Sequence, residues 1–397
     1  MFCPTLAAIT APIMIPTEEI NKTSETLGVP LVNVEKDYVM GWMLWALYSQ
    51  SQLSESLVLK GGNCLRKVYF PETRFSDDLD FTALRMPAEL EFKQEVNSLC
   101  QMLKSTASIP FELDQTRVEE KPTPDQDCKA LDARVYFRGF AGDSSLILRL
   151  KFDISEFETI VFPPVLNPLL HGYSDASSCS VNVRAYTLEE VLAEKLRSWI
   201  QRTRARDLFD AVKIIQQSGL TINKRRMLDA FLRKTLFKGI PRASRDHLLV
   251  DDKFRAVEQD WLTTIVCPTN AMILFLNAVE LFRQFVETLF QPATLTALGI
   301  GVGPIPAPLT NIATSIREAI IQAGRLRQTI LMRYDGLERE IEPYSFRYRV
   351  PKDGHGAEYF YGFDRTRGKT IKSFSYTKIQ SVRPSGRAFV PRYAVEF

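Results

Sequence analysis

The sequence predicts a mixed α+β fold, and three observations lead to it. Short apolar strands and a diglycine turn alternate with helix-like segments between Leu57 and Phe152. Helical periodicity then dominates from Thr187 to Phe290. Beyond Tyr334 the chain changes to short strands separated by turn dipeptides, the pattern of a small β-rich module. A length of 397 residues holds two or three such domains with ample core.

The most informative stretch is Leu57–Ala83, LVLKGGNCLRKVYFPETRFSDDLDFTA. It reads as a buried strand (Leu57, Val58, Leu59), a Gly61-Gly62 turn, a helix opening near Cys64, a loop and a second strand. On that second strand Asp78 and Asp80 share one face, because residues i and i+2 of an extended chain point the same way. Carboxylates this close ionise together only when a cation neutralises them. Oxygen ligands that leave room for phosphate oxygens suit Mg²⁺. A diglycine before a helix N-terminus offers free backbone N–H groups to phosphate. A diglycine alone is commonly a plain turn and Asp-x-Asp a solvated edge strand; their combination, with Arg66, Lys67 and Arg74 between them, carries the weight.

Composition narrows the rest. The apolar fraction of 45% and charged fraction of 24% are ordinary for a globular protein, and a net charge of +3 demands no nucleic-acid partner. Six cysteines without a C-x-x-C pair argue against zinc and a disulfide framework, so a reducing cytoplasm is the expected compartment. Only His171, His247 and His355 are available to a histidine mechanism. The most apolar run, Ile265–Phe290, is broken by Pro268, Asn270 and four further polar residues, and the N-terminus lacks a basic region before an apolar core. Neither a membrane span nor a signal peptide is expected.

In chain order, residues 1–30 read as an irregular lead-in and Val34–Gln50 as a helix placing Tyr38, Val39, Trp42, Trp45 and Ala46 on one face. Of its charges only Glu35 and Lys36 stand out. Pro87–Ser105 is an amphipathic helix built on Leu90, Phe92, Val96, Leu99, Met102 and Leu103. Strands are expected at Phe111–Leu113, Asp132–Phe140 and Ser145–Ile154. The last of these alternates cleanly, with Leu146, Leu148, Leu150 and Phe152 on one face and Ile147, Arg149, Lys151 and Asp153 on the other. A Pro-, Ser- and Asn-rich connector ends in a strand at Ser180–Tyr186.

A second strong segment runs from Tyr186 to Gln217. Thr187 and Glu190 form a capping box that opens a helix. Leu188, Val191, Leu192, Leu196 and Trp199 cover one apolar arc with Lys195 in its middle. A lysine placed there snorkels or meets buried acid or phosphate. It is either an ammonium aimed at a nucleotide or half of a structural ion pair. Further helices follow, with basic spots at Lys224-Arg225-Arg226 and Arg233-Lys234 that suit either an RNA backbone or a solvated face. Gln291–Leu309 is a Gly/Pro-rich linker and Asn311–Arg333 a helix. The domain reading is 1–55 lead-in and packing helix, 56–218 core, 219–290 helical lobe, 291–333 linker and helix, and 334–397 β-module.

KGGNCLRKVYF…RFSDDLDF, the upstream Val34-Glu35-Lys36-Asp37-Tyr38, and Glu190–Leu196 followed by Arg206-Asp207-Leu208-Phe209-Asp210 resemble the AbiEii/AbiGii toxin nucleotidyltransferases over residues 30–290. These are minimal relatives of the DNA polymerase β superfamily. The resemblance implies a polymerase β-like core with a helical lobe. It implies Mg²⁺ on Asp78 and Asp80, and an NTP seated by Lys60, Gly61, Gly62, Arg66 and Ser76, with Lys195 and Asp207 in the active site. Asp153 stands where such enzymes place a third carboxylate; a strand-end Asp capping the next turn is the equal alternative. The implied acceptor is RNA, the tRNA 3′ end, and the implied biology a toxin or phage-defence effector with an antitoxin or other defence protein encoded nearby. The final 65 or so residues resemble a WYL domain, an SH3-like ligand-binding module, with Tyr359, Tyr361, Lys372 and Lys378 as ligand candidates and Phe360 and Phe374 as core. Two other readings fit the same scaffold: a protein-modifying enzyme transferring a nucleotidyl or phosphoryl group, and a sensor of nucleotides or nucleic acids.

Overall fold

Seven strands in the order β3-β4-β5-β2-β1-β7-β6 form the sheet that carries Asp78 and Asp80. The computed structural model describes residues 15–123, 128–218, 221–238, 240, 243–291, 316–349, 357–368 and 370–397. Its first unit, Met1–Ala230 with Leu248–Thr288, begins with α1 (Thr17–Leu27) and α2 (Leu31–Gln50). Then come β1 (Leu57–Lys60), the short α3 (Gly61–Cys64) running into a π-helical turn at Leu65–Tyr69, β2 (Asp78–Ala83) and α4 (Glu89–Thr106). The sheet is completed by β3 (Arg117–Lys121), β4 (Ala130–Arg138), β5 (Ile147–Ser155), β6 (Val165–Pro168) and β7 (Asn182–Ala185). Helices α5 (Leu188–Arg202), α6 (Ala205–Ser218), α7 (Lys224–Phe237), α8 (Arg245–Leu248), α9 (Asp251–Glu258), α10 (Trp261–Thr264) and α11 (Phe275–Leu289) follow. The pairs β2–β5 and β1–β7 are parallel and the others antiparallel.

Alternation decides which face of the sheet is dry. Leu131, Ala133, Val135 and Phe137 of β4, with Leu148, Leu150, Phe152 and Ile154 of β5, are buried. Asp132, Arg134, Arg149, Lys151 and Asp153 stand on the opposite face. Against the apolar face lies α4, whose Phe92 meets the Phe152 ring edge-on at 6.0 Å while Phe81 stacks on Phe152 at 6.4 Å. The α4 core is Phe92, Val96, Leu99, Cys100 and Leu103; Leu90, expected inside, is 66% exposed. The helical segment packs round two indoles. Trp199 meets Phe254 and Phe282, and Trp261 meets Phe209 and Phe275, each indole N–H donating to a backbone carbonyl.

Several expectations are corrected. The lead-in is helical over Thr17–Leu27. The helix after β1 opens at Gly61, three residues before Cys64. Phe111–Leu113 makes a single bridge to Phe137 and then a 3₁₀ turn. Strands β3 and β6 were not expected, because both are sheet edges where one face meets water and alternation is not enforced; β6 ends in Pro168, tolerated only at an edge.

The largest correction concerns α2, which is buried almost all round. Asp37, not Glu35 or Lys36, is its chemically charged centre. Its carboxylate takes Arg66 Nε at 2.8 Å, Lys67 Nζ at 2.8 Å and the Tyr173 hydroxyl at 3.0 Å. Burial alone would raise this carboxyl, but Arg66 and Lys67 overcome it and hold Asp37 well below the usual carboxylate range. Lys67 is 1% exposed, so Asp37→Ala strands a buried ammonium. The expected cost is about 3–5 kcal/mol, read as a lowered urea midpoint; a loss under about 1 kcal/mol would refute this role.

The second unit, Phe231–His247 with Leu289–Phe397, holds a five-stranded antiparallel sheet in the order β11-β10-β9-β8-β12. Its elements are α12 (Ile316–Arg325), β8 (Gln328–Tyr334), β9 (Leu337–Arg349), β10 (Ala357–Asp364), β11 (Thr370–Ser375) and β12 (Ile379–Ala388). Ile320 and Ala323 of α12 pack onto Ile330, Met332, Ile341, Phe360, Phe374 and Ile379. Phe360 and Phe374 are thus core, as read from the sequence. The helix expected to reach Arg333 ends at Arg325, and Gln328–Tyr334 is a strand turning at Asp335-Gly336, both with positive φ. The sequence pattern also predicts a strand over Phe389–Phe397, but that segment is irregular, and Phe389 and Tyr393 pack on Tyr344. Apart from Gln291, the Gly/Pro-rich linker lies outside the described residues. The chain is α+β, a mixed-sheet core with helices and a separate C-terminal antiparallel sheet.

Candidate active site

Strand register assembles the carboxylates. β2 places Asp78 and Asp80 on the open face, and the parallel β5 sets Asp153 beside Asp80 and Lys151 beside Asp78. The same row continues through Lys60 on β1, Asp132 on β4 and Glu119 on β3, so four acids from four adjacent strands stand side by side. Asp80 and Asp153 line a cleft of about 330 Å³ together with Lys60, Gly61, Tyr186, Glu194, Lys195 and Arg197.

Glycine is obligatory at the β1–α3 junction. Gly61 has φ +74°, and a Cβ there would lie 2.2 Å from Asp80 Oδ2. A Cβ on Gly62 would press on Ser76 Oγ at 2.7 Å and Arg74 Nη2 at 2.8 Å. Gly61→Ala therefore displaces the Asp80 carboxylate. An ångström-scale misplacement predicts a loss of about a hundredfold in turnover with a folded protein by circular dichroism; turnover within threefold of wild type would contradict this.

Within the acid row, Asp132 is paired with Arg134 at 3.0 Å and Asp153 with Lys151 at 3.4 Å, whereas Asp80 has no ion-pair partner among the described residues. Burial, reinforced by Asp153 and Asp78 and opposed by Lys60 and Lys195, pushes the Asp80 carboxyl up to about 6. Burial also raises Asp78, against Lys151. Lys60 is held above its ordinary value despite burial, because Glu158 at 3.3 Å, Glu194 at 3.9 Å and Asp80 surround it.

Beneath the cleft runs a chain of buried ion pairs. Arg74 grips both oxygens of Asp210 at 2.7 and 2.8 Å. Lys195 Nζ sits 2.7 Å from Asp210 and 3.6 Å from Asp207. Arg202 holds Asp207 bidentately at 2.8 and 2.9 Å. Lys195 thus has carboxylate partners and still forms part of the cleft wall. Asp207 is fully buried behind it and acts through Lys195 and Arg202, not through Arg206. Asp210, passed over in the sequence as a site residue, is the hub; its signal was the i, i+3 spacing from Asp207, which puts both acids on one helical face.

Other candidate residues fall elsewhere. Arg66, expected on the nucleotide, is turned away: it is consumed by Asp37 and the Pro71 and Thr73 carbonyls and stacks on Phe75 at 3.7 Å. Ser76 is half-buried against Gly62. Tyr359 and Tyr361 share a face of β10, and the Arg347 guanidinium lies 5.7 Å from the Tyr361 ring centre. Lys372 is bound to Asp364 at 3.0 Å and the Arg367 carbonyl, so it is an ion-pair partner rather than a free ligand contact, while Lys378 is exposed on a 3₁₀ turn. Glu158, Glu194, Arg197 and Tyr186 line the cleft without having been singled out; Glu194 adjoins Lys195 in sequence, whereas Glu158 lies in an irregular connector that carries no pattern. Among the described residues no group of three His, Cys, Asp or Glu side chains is arranged to hold a metal ion by itself. No described helix is long and apolar enough to cross a membrane.

No curated protein matches the sequence. Among solved structures, the chain is similar to MenT4, a nucleotidyltransferase toxin from Mycobacterium tuberculosis H37Rv, at 17% identity over 71% of this chain and 92% of that one, with a TM-score of 0.47. It is similar to JHP933 from Helicobacter pylori at 18% identity over 67% of this chain and 97% of that one, with a TM-score of 0.43. A family model described as nucleotidyl transferase AbiEii toxin, type IV TA system, matches residues 42–270, more than half of the chain. That span contains the β1–Gly61 junction, the strands bearing Asp78, Asp80 and Asp153, and the α5–α6 ion-pair chain. The chain belongs to this AbiEii family and is a nucleotidyltransferase of the toxin type.

Proposed function

We propose that this nucleotidyltransferase works with Mg²⁺ and transfers NMP from an NTP to an RNA acceptor, the tRNA 3′ end, as a cytoplasmic toxin or phage-defence effector restrained by an antitoxin encoded nearby. The observation that carries the catalytic part is the Asp80–Asp153 pair, side by side on parallel strands at a cleft closed by Gly61 and Lys195. The donor set fits the ion: one or two carboxylates with space for phosphate oxygens is how Mg²⁺ is usually held, and burial, with Asp153 and Asp78 beside it, raises the Asp80 carboxyl, which a cation there would counter. Asp78 and Asp80 would hold it together with phosphate oxygens, with Asp153 beside Asp80, and the ion would supply charge neutralisation for the triphosphate.

The protein's own groups do the positioning. Backbone N–H groups at Gly61 and Gly62 face the phosphates. The acceptor hydroxyl oxygen forms the new bond to the α-phosphorus while the bond to the α–β bridging oxygen breaks and pyrophosphate leaves. Asp153 orients that hydroxyl and takes its proton; Lys195, fixed by Asp210 and Asp207, offsets charge on the pyrophosphate. The acceptor and the biology rest on family resemblance. The C-terminal antiparallel sheet with its packed α12 supports the WYL-like reading, in which Tyr359, Tyr361 and Lys378 are the ligand candidates.

The test is incubation of wild type and Asp80→Ala with each α-labelled NTP, Mg²⁺ and total RNA. Label entering RNA with wild type alone is expected, and its band names acceptor and base. Label entering protein would replace the acceptor, and no label anywhere would sink the reading.

A further inference from the structure

The open face of the sheet carries a second row beside the acids. Lys151 on β5, Arg134 on β4 and Arg117 on β3 are direct cross-strand neighbours in register, and Asp78 on β2 ends the row at the active site. Like charges set directly opposite each other destabilise a sheet, so three cations in line are a cost the fold does not need. The neighbouring acid row offsets part of it: Asp132 lies 3.0 Å from Arg134 and 3.5 Å from Lys151, and Asp153 lies 3.4 Å from Lys151. Arg117 and Arg149 are exposed, and their side chains make no hydrogen bond or ion pair among the described residues. Arg206, at the start of α6, is likewise without such a partner and, with Arg149, acts on Asp78 across the site.

The geometry points to these cations as the track for the acceptor: we propose that Arg206, Arg149, Lys151, Arg134 and Arg117 carry the phosphodiester backbone of a nucleic-acid acceptor up to Asp78 and Asp153. This rests on the transfer reading above and adds where the acceptor lies. Adjacent strands are spaced about 5 Å apart, so the row is a ladder of charges crossing the sheet, a form suited to a repeating polyanion. The track also leaves the acid row on the side away from Lys60, Glu158 and Glu194, so nucleotide and acceptor need not compete for the same cations. A protein hydroxyl would bring no regular anions to meet it.

The test uses the full chain with Arg117→Ala/Arg149→Ala, both surface positions, and a charge-reversed Arg117→Glu/Arg149→Glu. Binding of a labelled single-stranded RNA is measured across salt concentrations without NTP, and NTP binding separately. The alanine pair is expected to weaken RNA binding about tenfold at low salt and to flatten the salt slope by about 1.4, with the glutamate pair weaker still and NTP affinity unchanged. RNA affinity and slope equal to wild type in both variants would overturn the track, while loss of transfer in Asp80→Ala would leave the transfer reading standing. Poly-glutamate binding as tightly as RNA at equal charge would assign the surface to an acidic protein and overturn it too.

Discussion

Asp80→Asn will abolish nucleotidyl transfer and, at neutral pH without metal, raise the melting temperature. The first effect follows from removing the carboxylate that stands between Lys60 and Asp153 at the cleft: a loss of about a thousandfold or more, roughly 4 kcal/mol of transition-state stabilisation. The second follows from linkage. The Asp80 carboxyl is held near 6 in the folded protein against an ordinary 3.8, so the folded state binds its proton more tightly. Stability from this group is therefore full below about pH 4 and is lost as pH rises through about 6. Asparagine removes the buried charge and, with it, the repulsion from Asp153 and Asp78. After allowance for solvent the gain is about 1–2 kcal/mol, a few degrees, because Lys60 keeps Glu158 and Glu194. Mg²⁺ will raise the wild-type melting temperature in a concentration-dependent way and act far less on the variant. A variant that melts below wild type in the absence of metal would show the acid row to be well compensated.

Asp210→Ala is expected to cost about 3–5 kcal/mol, because it leaves buried Arg74 without its bidentate partner and Lys195 with Asp207 alone at 3.6 Å. The measurement is equilibrium urea unfolding at constant slope. Burial would raise this carboxyl, but Arg74 and Lys195 bring it down to about 2 from the ordinary 3.8. Its contribution is thus present above about pH 4 and is lost as pH falls through about 2, and the variant will show a shallower acid limb than wild type. Equal acid limbs would place the stabilising charge elsewhere. Transfer should fall as well, since an untethered Lys195 no longer presents a fixed ammonium to the cleft.

How much of this was legible depends on distance along the chain. Alternation over Asp78–Ala83 and Ile147–Ser155 is a property of neighbouring residues, and it set Asp78 with Asp80 and Lys151 with Asp153 on their faces. The apolar arc of α5 told that Lys195 must snorkel or meet buried acid or phosphate, again from one helix alone. What no local pattern states is pairing. That β5 lies parallel to β2, so that Asp153 meets Asp80, is fixed by register between segments joined through α4, β3 and β4. Asp37 looked like one charge among several on α2 because its partners, Arg66, Lys67 and Tyr173, come from elsewhere. Gln328–Tyr334 read as the tail of a helix because only pairing with β9 and β12 makes it a strand. Arg66 shows the opposite error: it sits inside the motif, yet tertiary burial gives it a structural task.

The parallel join of β2 to β5 has a consequence for the order in which a cell makes this toxin. When Asp78 and Asp80 leave the ribosome, the strand that supplies Asp153 and the helices that supply Lys195 and Asp210 have not yet been synthesised. The two early carboxylates then have Lys60 beside them but neither Asp153 nor Lys195. The nascent chain is inert until α6 has emerged and docked, and any message broken before that codon yields a fragment without a site. Completion of the site is postponed until α6 has been made, by the order of the elements along the chain.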